Sequence, residues 1–284
     1  MPKIAFVFPG QGSQFVGMGR DLIEKSPLAK SIFEEANTVL GFDLTNICLN
    51  GPEESLKQTA NTQPAILTAS VAQWKILEAE GSLPEVVAGH SLGEYSALVC
   101  AGVIEFKDAV SLVHLRGKLM EAAVPQGKGA MAAILGFDRE QIAPVLAQCA
   151  GIVEIANINC PGQIVISGEA PAVTQACEKL LAAGAKRAIP LAVSGPFHSS
   201  LMKPAGDKLQ AEIQKLSFKA PKFKFIANVT ADYVSDPAEI KKLLVQQVSS
   251  SVLWQPSVER MINDGVTEFV EVGPGNVLAG LVKK

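Results

Sequence analysis

The sequence predicts an α/β protein in which a smaller domain is inserted into a larger one with a mainly parallel sheet. Short apolar runs alternate with helical segments along most of the chain, an order that gives parallel strands covered by helices on both faces. Glycine-rich turns separate those runs from the helices that follow them. One stretch near the middle breaks the alternation and has strands and helices in an order of its own.

The elements outside that stretch follow from local patterns. Ile4–Phe8 is an apolar run with β propensity that ends at a Pro-Gly turn, which is typical of a buried strand. Residues 27–40 are predicted to be helical because Ser26 can cap the start and Gly41 can end the helix. Similar signals predict helices at 64–80, 93–100, 105–122 and 276–282, and strands at 86–88 and 266–272.

The middle of the chain has the order β-α-β-β-α-β, which is that of the ferredoxin-like unit. Strands are predicted at 130–135, 152–159, 163–167 and 186–193, and helices at 138–150 and 170–183. We therefore predict an inserted ferredoxin-like domain at 126–194. Residues 1–125 and 195–284 then form a large α/β-hydrolase-like domain with a parallel sheet.

Composition limits the kind of protein that this can be. Of 284 residues, 48% are hydrophobic and 19% are charged, which suits a globular chain with a large core. The formal net charge is −3 and no basic block occurs, so neither nucleic acid nor a membrane surface is indicated as a partner. No apolar run approaches the ~20 residues of a membrane helix, and the N-terminal run is too short for a signal peptide.

Cysteine and histidine usage predicts neither disulfides nor a metal site. Five scattered cysteines without a C-x-x-C pair predict reduced, buried thiols in a cytoplasmic protein. The histidines His90, His114 and His198 show no metal-ligand spacing. The cysteines are Cys48, Cys100, Cys149, Cys160 and Cys177.

Residues 89–93, Gly-His-Ser-Leu-Gly, match the G-x-S-x-G pattern of a nucleophile elbow. In an elbow, a tight turn between a strand and a helix lifts the serine hydroxyl clear of the backbone, and larger residues in place of the glycines would clash with the neighbouring elements. Ser91 is therefore the candidate nucleophile, at a helix N-terminus that favours negative charge on an attacked carbonyl. The alternative is an ordinary glycine-flanked turn.

A serine hydroxyl needs a base, and His198 is the best candidate. It lies in a Gly-Pro-Phe-His turn between a predicted strand and a helix, where catalytic side chains are common and a helix start would keep the imidazole neutral. His114 falls on the polar stripe of its helix and is expected to face solvent. His90 is expected to point away from Ser91. The alternative for His198 is a turn or capping histidine.

Arg116 carries the most information about the substrate. At ~100° per residue, it projects away from the polar stripe of helix 105–122 and toward the core, on the same side as Met120. A guanidinium that faces inward is costly unless an anion meets it. One interpretation is a structural ion pair with a core carboxylate, and the other is a bidentate clamp for a substrate carboxylate.

The loop Gly10-Gln11-Gly12 begins like a dinucleotide-binding loop, but Phe15 occupies the place of the third glycine and no Gly-Lys-Ser/Thr follows. No cofactor is therefore predicted. A better interpretation is a loop whose backbone N–H groups face the elbow and form half of an oxyanion hole.

Six motifs together resemble the malonyl-CoA:acyl carrier protein transacylases of bacterial-type fatty acid synthesis, in the right order from Ile4 to the last helix. The resemblance implies that Ser91 is the nucleophile, that His198 is the base and that Arg116 pairs with the free malonyl carboxylate. The motifs are FPGQGSQ at 8–14, NTQPA at 61–65, GHSLGEY at 89–95, RGK at 116–118, GPFH at 195–198 and EVGPG at 271–275.

The same resemblance implies further site residues. The backbone N–H groups of Gln11 and Leu92 would form the oxyanion hole, and a main-chain carbonyl at Gln247, rather than an acid, would orient the histidine. The alternative for Gln247 is a surface glutamine. The expected substrate contacts besides Arg116 are Gln63, Phe197 and Met120, and Asn157 and Asn159 are expected near the cleft.

The resemblance also implies an acyltransferase, an [acyl-carrier-protein] S-malonyltransferase that works by a ping-pong mechanism. Malonyl-CoA and acyl carrier protein are its expected partners, with the coenzyme A thioester as substrate and no cofactor. We expect a cytoplasmic monomer. Two other functions stay open at this point, a serine esterase or thioesterase, which shares G-x-S-x-G, and a scaffold that binds acyl carrier protein without catalysis.

Overall fold

The computed structural model describes residues 2–284 and contains two five-stranded sheets with helices packed against them. The strands are β1 Ile4–Phe8, β2 Val86–Gly89, β3 Gly129–Leu135, β4 Val153–Cys160, β5 Gln163–Glu169, β6 Arg187–Pro190, β7 Lys224–Ala227, β8 Asp232–Tyr233, β9 Val252–Leu253 and β10 Glu268–Glu271. The helices are α1 Arg20–Lys25, α2 Pro27–Leu40, α3 Leu44–Asn50, α4 Glu53–Lys57, α5 Thr59–Ala79, α6 Gly93–Cys100, α7 Phe106–Ala123, α8 Arg139–Leu146, α9 Ala170–Ala182, α10 Lys203–Lys215, α11 Pro237–Gln247, α12 Trp254–Asn263 and α13 Val277–Val282, with a 3₁₀ turn at Ser200–Met202.

The first sheet has the order β10-β1-β2-β7-β8, and its first four strands are parallel. Alternate residues of β1 enter two different cores: Phe6 packs into one, while Ala5 and Val7 pack into the other. Both faces of the sheet are therefore buried, as a parallel sheet requires. The predicted mixed α/β class and the mainly parallel sheet are confirmed.

The second sheet has the order β6-β3-β5-β4-β9, and its pairs are antiparallel except for β4 with β9. Along the chain its elements run β3-α8-β4-β5-α9-β6, the order that the sequence predicts. Residues of α8 and α9 share a separate core with this sheet. The strand β9 belongs to a later part of the chain, pairs with β4 and was not predicted. Its Val252 lies in one core with Ala5 and Val7 of β1, so the two sheets are packed together there.

The helix α5 begins earlier than predicted because it accommodates Pro64 in its second turn. The sequence places the start at residue 64, but α5 begins at Thr59 and contains Pro64. A proline lacks the N–H that would bond to the carbonyl four residues before it, here that of Ala60. The Nδ1 atom of His114 lies 2.7 Å from that carbonyl and donates to it instead. His114 is consequently half-buried against α5, and the expectation that it faces solvent is wrong.

Other predicted elements are shorter in the structure. The helix expected at 138–150 ends at Leu146, and the strand expected at 186–193 is limited to β6. Short elements such as α1, α3 and α4 were not predicted, since isolated helices of this length have weak sequence signals. The five cysteines are free, but Cys149 and Cys177 are only partly buried, which corrects the expectation of uniform burial. Across residues 2–284, no helix is both long enough and apolar enough to span a bilayer.

Candidate active site

Ser91 lies in the sharp turn between β2 and α6, with φ at +51°, a left-handed backbone conformation that is uncommon for a residue other than glycine. The glycines on either side are needed for close packing. A Cβ atom on Gly89 would overlap the backbone of Gly93, and one on Gly93 would overlap the carbonyl of Phe8. The G-x-S-x-G pattern is therefore a steric requirement of this turn, and it holds the half-buried serine in a strained backbone conformation.

Asn228 clamps both sides of this turn. It follows β7 directly, and its side chain is buried. Its Oδ1 atom accepts from the backbone N–H of Ser91 over 2.7 Å, and its Nδ2 atom donates to the carbonyl of Gly89 over 2.6 Å. Asn228 was not predicted from the sequence. The available signal was its place directly after a strand, at the carboxyl edge of a parallel sheet, where functional residues collect.

His198 is hydrogen-bonded to Ser91, the candidate nucleophile. Its Nε2 atom lies 2.7 Å from the Oγ atom of Ser91, and its Nδ1 atom lies 2.8 Å from the carbonyl of Gln247 and 3.2 Å from that of Ser250. Because a carbonyl can only accept, Nδ1 must carry the proton, so Nε2 presents its lone pair to the serine hydroxyl. Burial, and then the positive charge of Arg116, lower the pKa of His198 to about 3. The imidazole is therefore neutral and able to accept a proton.

Arg116 projects from α7 into the same site and is 1% exposed. One nitrogen, Nη2, donates to the Oγ atom of Ser91 over 3.2 Å and to the Oε1 atom of Gln247 over 2.9 Å, and the guanidinium lies 5.5 Å from the centre of the Tyr95 ring. Within residues 2–284, Nε and Nη1 have no hydrogen-bond partner and no ion pair includes Arg116. Burial lowers the pKa of the guanidinium. A buried positive charge with donors to spare beside the nucleophile can bind an anion.

A small cavity of about 100 Å³ joins these groups. Its wall includes residues of β3 and β4, so it lies between the elbow and the second sheet. The other predicted site residues lie around it, except Asn159 and Gln247. Gln247 is fully buried behind Arg116, while its neighbour Gln246 is exposed. The wall contains Gln11, Gln63, His90, Ser91, Leu92, Arg116, Met120, Met131, Asn157, Leu191, Val193, Phe197 and His198.

Two residues of the cavity wall have a backbone N–H group without a partner among the described residues. The N–H groups of Gln11 and Leu92 make no hydrogen bond to another residue of 2–284. Leu92 immediately precedes α6, where the positive end of the helix dipole adds to its N–H. On the opposite wall, Gln63 donates from Nε2 to the Sδ atom of Met120 over 3.6 Å, and its Oε1 atom has no partner among the described residues. The cavity wall thus contains unpaired backbone donors and a polar side chain beside a flexible thioether.

His90 connects the elbow to the second sheet. Its Nε2 atom lies 2.9 Å from the Oδ1 atom of Asn159, and its ring packs 5.7 Å from that of Trp254. Burial lowers the pKa of His90. The ring is therefore engaged away from the Ser91 hydroxyl, in line with the structural role expected from the sequence. Asn159 serves this connection, whereas Asn157 lines the cavity itself.

Glu94 is a buried carboxylate within the GHSLGEY motif, and no role was predicted for it from the sequence. It is 1% exposed and lies in the first turn of α6. Its Oε1 atom accepts from the backbone N–H of Asn228 over 3.1 Å, and its Oε2 atom accepts from Nε2 of Gln247. That nitrogen also donates to the carbonyl of Ser91 over 2.9 Å. Burial raises the pKa of Glu94 to about 7.

Comparison with known proteins agrees with this geometry. The family of the acyl transferase domain matches residues 5–284. The chain is 51% identical to the malonyl CoA-acyl carrier protein transacylase of Bacillus subtilis over 287 aligned positions, which cover 100% of this chain and 90% of the relative. It is 50% identical to the protein of the same name from Escherichia coli K12, again over 100% of this chain and 93% of the relative.

Solved structures superpose closely. An acyl carrier protein S-malonyltransferase from Vibrio cholerae has a TM-score of 0.97 at 52% identity, covering 99% of this chain and 93% of that one. A malonyl-transacylase solved with its type II polyketide synthase acyl-carrier protein also has a TM-score of 0.97, at 50% identity, covering 99% of this chain and 92% of that one. The chain is therefore an acyltransferase that belongs to the malonyl CoA-acyl carrier protein transacylase family.

Proposed function

We propose that this enzyme transfers the malonyl group from malonyl-CoA to the phosphopantetheine thiol of acyl carrier protein, through a malonyl ester on Ser91, and so supplies extender units for fatty acid synthesis. The observation that carries the proposal is the buried guanidinium of Arg116, 3.2 Å from the nucleophilic oxygen and with two nitrogens unpaired within residues 2–284. A malonyl group differs from an acetyl group by one carboxylate, which is the group that this arginine can bind in a bidentate manner.

In the first half of the reaction, His198 accepts the proton of the Ser91 hydroxyl through Nε2 while Oγ attacks the thioester carbonyl. The tetrahedral oxyanion would be stabilised by the backbone N–H groups of Gln11 and Leu92. When the intermediate collapses, the carbon–sulfur bond breaks, and the proton held by His198 passes to the sulfur of coenzyme A. The malonyl group is then esterified to Ser91.

In the second half, the thiol of acyl carrier protein gives its proton to His198, and its sulfur attacks the malonyl ester. Collapse of this intermediate returns the proton to the Ser91 oxygen and releases the malonyl thioester. Because a thioester is both consumed and formed, the transfer needs no energy source and we propose no cofactor. The two half-reactions use one site in turn, which gives ping-pong kinetics.

The remaining cavity residues fit selection of a short acyl group. The small cavity is closed by Met120 and Phe197, both buried, while Gln63 supplies a polar wall. With the distal carboxylate on Arg116, the thioester carbon would be held close to Ser91, which lowers the entropic cost of attack. We propose Gln247 as the residue whose main-chain carbonyl orients His198.

We further propose that the two sheets correspond to two domains. The four antiparallel strands β3, β4, β5 and β6, with the helices α8 and α9, form an inserted ferredoxin-like domain at 126–194, and their separate core supports this. The parallel sheet belongs to an α/β-hydrolase-like domain at 1–125 and 195–284. We also propose that the enzyme acts as a cytoplasmic monomer.

One experiment separates this function from its alternatives. The protein is mixed with malonyl-CoA, and the intact mass and the peptide masses are followed with time. We expect an addition of one malonyl group on Ser91 that disappears when holo acyl carrier protein is added. Release of free malonate without acyl carrier protein would indicate a thioesterase, and no reaction at all would indicate a non-catalytic scaffold.

A further inference from the structure

A carboxylate lies buried behind the proposed malonyl-binding arginine. Glu94 contacts neither the Ser91 hydroxyl nor His198, so the mechanism above does not use it. A fully buried carboxylate is costly unless hydrogen bonds and an opposite charge compensate it. Its two oxygens accept from Asn228 and from Gln247, and the nearest positive charge is that of Arg116, which acts to lower the pKa of Glu94 against the effect of burial.

The amide of Gln247 connects the two charges. It donates from Nε2 to Glu94, and through Oε1 it accepts from Nη2 of Arg116 over 2.9 Å. An ionised carboxylate can only accept and a guanidinium can only donate. The Gln247 amide therefore has one orientation that satisfies both neighbours, and a rotation by half a turn would place its NH₂ against Arg116 and its oxygen against Glu94.

We propose that Glu94 is a positioning residue for malonyl selectivity, because through the Gln247 amide it holds the Arg116 guanidinium beside Ser91. This inference rests on the proposed malonyl transfer. The main chain of the same Gln247 accepts from His198 over 2.8 Å. Glu94 thus acts through the side chain of Gln247, which contacts Arg116, whereas His198 is bonded to the main chain of Gln247.

The competing explanation is that Glu94 only stabilises the fold by accepting from the backbone N–H of Asn228. The variant Glu94→Gln separates the two explanations. Its side-chain oxygen can still accept from Asn228, and its volume is nearly unchanged. Its new NH₂ would face the NH₂ of Gln247, so the Gln247 amide must rotate and present a donor to Arg116. The arginine then loses its acceptor, while the packing of α6 is kept.

The experiment measures kcat/KM for loading of Ser91 by malonyl-CoA and by acetyl-CoA, together with the melting temperature. Glu271→Gln is the matched control, because that carboxylate also accepts two hydrogen bonds, but from the backbone N–H groups of Leu278 and Ala279 at the start of α13. We expect Glu94→Gln to lower malonyl loading about tenfold or more relative to acetyl loading. The control should leave the ratio of the two unchanged. A ratio in Glu94→Gln equal to that of the wild type, in a folded protein, would overturn the proposal.

If Glu94→Gln fails to fold, the proposal is tested by measuring the ratio of malonyl to acetyl loading in the wild type as a function of pH. Any pH dependence of the steps at Ser91 and His198 is common to both substrates, so it cancels in the ratio of malonyl to acetyl loading. Since the pKa of Glu94 is raised to about 7, its charged form is lost as pH falls through that value. The ratio should therefore fall with pH there, whereas the malonyl carboxyl, with an ordinary pKa near ~4, stays ionised. A ratio that is flat from about pH 8.5 to 5.5 would then overturn the proposal.

None of the other groups that face Glu94 changes its charge in this pH range. Burial raises the pKa of Tyr95 to about 12, that of His198 is lowered to about 3, and burial also lowers the pKa of His90. Gln247 and Asn228 do not titrate, and Arg116 stays charged. Failure of the wild type to form the malonyl adduct would instead contradict the proposed function itself, so the two failures are distinguishable.

Discussion

His198 donates from Nδ1 to the main-chain carbonyl of Gln247 over 2.8 Å, so a carbonyl dipole rather than a carboxylate orients the imidazole. A neutral acceptor stabilises an imidazolium less than a carboxylate would. Burial and the nearby charge of Arg116 act in the same direction and lower the pKa of His198 to about 3. The base is therefore neutral at any ordinary pH.

This gives a prediction for the pH profile. An unperturbed histidine would lose its basic form near pH ~6.5. With the pKa lowered, the neutral form persists below that value and is lost only as pH falls toward about 3. Loading of Ser91 by acetyl-CoA, measured by quenched-flow mass spectrometry, should therefore show no decline near pH ~6.5. Acetyl-CoA is the appropriate substrate because it does not use the anion-binding side of the site.

The control for this prediction is His198→Ala. General-base assistance is typically worth ~10²–10⁴ in rate, and we expect a loss of that size with both thioesters. A wild-type profile that falls off near pH ~6.5 would mean that the imidazole is solvated, with an ordinary pKa. Near-normal loading rates in His198→Ala would indicate that His198 only stabilises the turn.

The second prediction concerns the nucleophile. Ser91→Ala should abolish the acyl adduct while leaving the melting temperature nearly unchanged, because the change removes a single hydroxyl. Ser217→Ala, at an exposed serine, is the control and should load malonyl at the wild-type rate. Intact-mass spectrometry after incubation with malonyl-CoA checks both variants. A malonyl adduct that persists in Ser91→Ala would show that another residue carries the acyl group.

The third prediction concerns the clamp on the elbow. Asn228→Ala leaves the partly buried N–H of Ser91 and the buried carbonyl of Gly89 without their side-chain partner. Each unsatisfied buried group costs about 1–3 kcal/mol, so the free energy of unfolding should fall by at least that amount. The rate of Ser91 loading should fall as well, because the strained backbone at φ +51° is no longer held. Denaturant unfolding and single-turnover loading measure the two effects.

Asn228→Asp is the informative companion variant. It keeps an acceptor for the Ser91 N–H but loses the donor to Gly89, and it adds a carboxylate close to Glu94. We expect an intermediate loss of loading and a larger loss of stability. If Asn228→Ala loaded malonyl at the normal rate, the elbow would hold its conformation through its glycines alone.

The sequence was sufficient for those parts of the site that depend on local patterns. The elbow around Ser91 follows from steric rules within five consecutive residues, and the inward direction of Arg116 follows from helical periodicity. The pairing of Ser91 with His198 was predicted from the position of His198 in a turn before a helix and from the family resemblance, since nothing in spacing brings residues 107 positions apart together. Such pairing is a property of the tertiary fold.

The functional residues that were not predicted from the sequence were missed for this same reason. Asn228 and Glu94 act through bonds to parts of the chain more than 130 positions away, and a single sequence does not contain such pairings. The early start of α5 was missed for a similar reason. Pro64 normally indicates a helix start, but here a side chain from α7, that of His114, satisfies the carbonyl that the proline leaves free.

The last prediction tests whether Arg116 binds the malonyl carboxylate. A charge-assisted hydrogen bond to a buried group is worth about 1.5–3 kcal/mol, which corresponds to roughly ten- to hundredfold in kcat/KM. Arg116→Ala should lower malonyl loading by at least that factor and leave acetyl loading unchanged or higher. Arg116→Lys keeps the charge but loses the bidentate fork, so malonyl loading should recover only in part. The comparison is kcat/KM for both thioesters in wild type, Arg116→Ala and Arg116→Lys. Equal losses for malonyl and acetyl groups would mean that Arg116 serves the core alone, because a purely structural arginine affects both substrates in the same way.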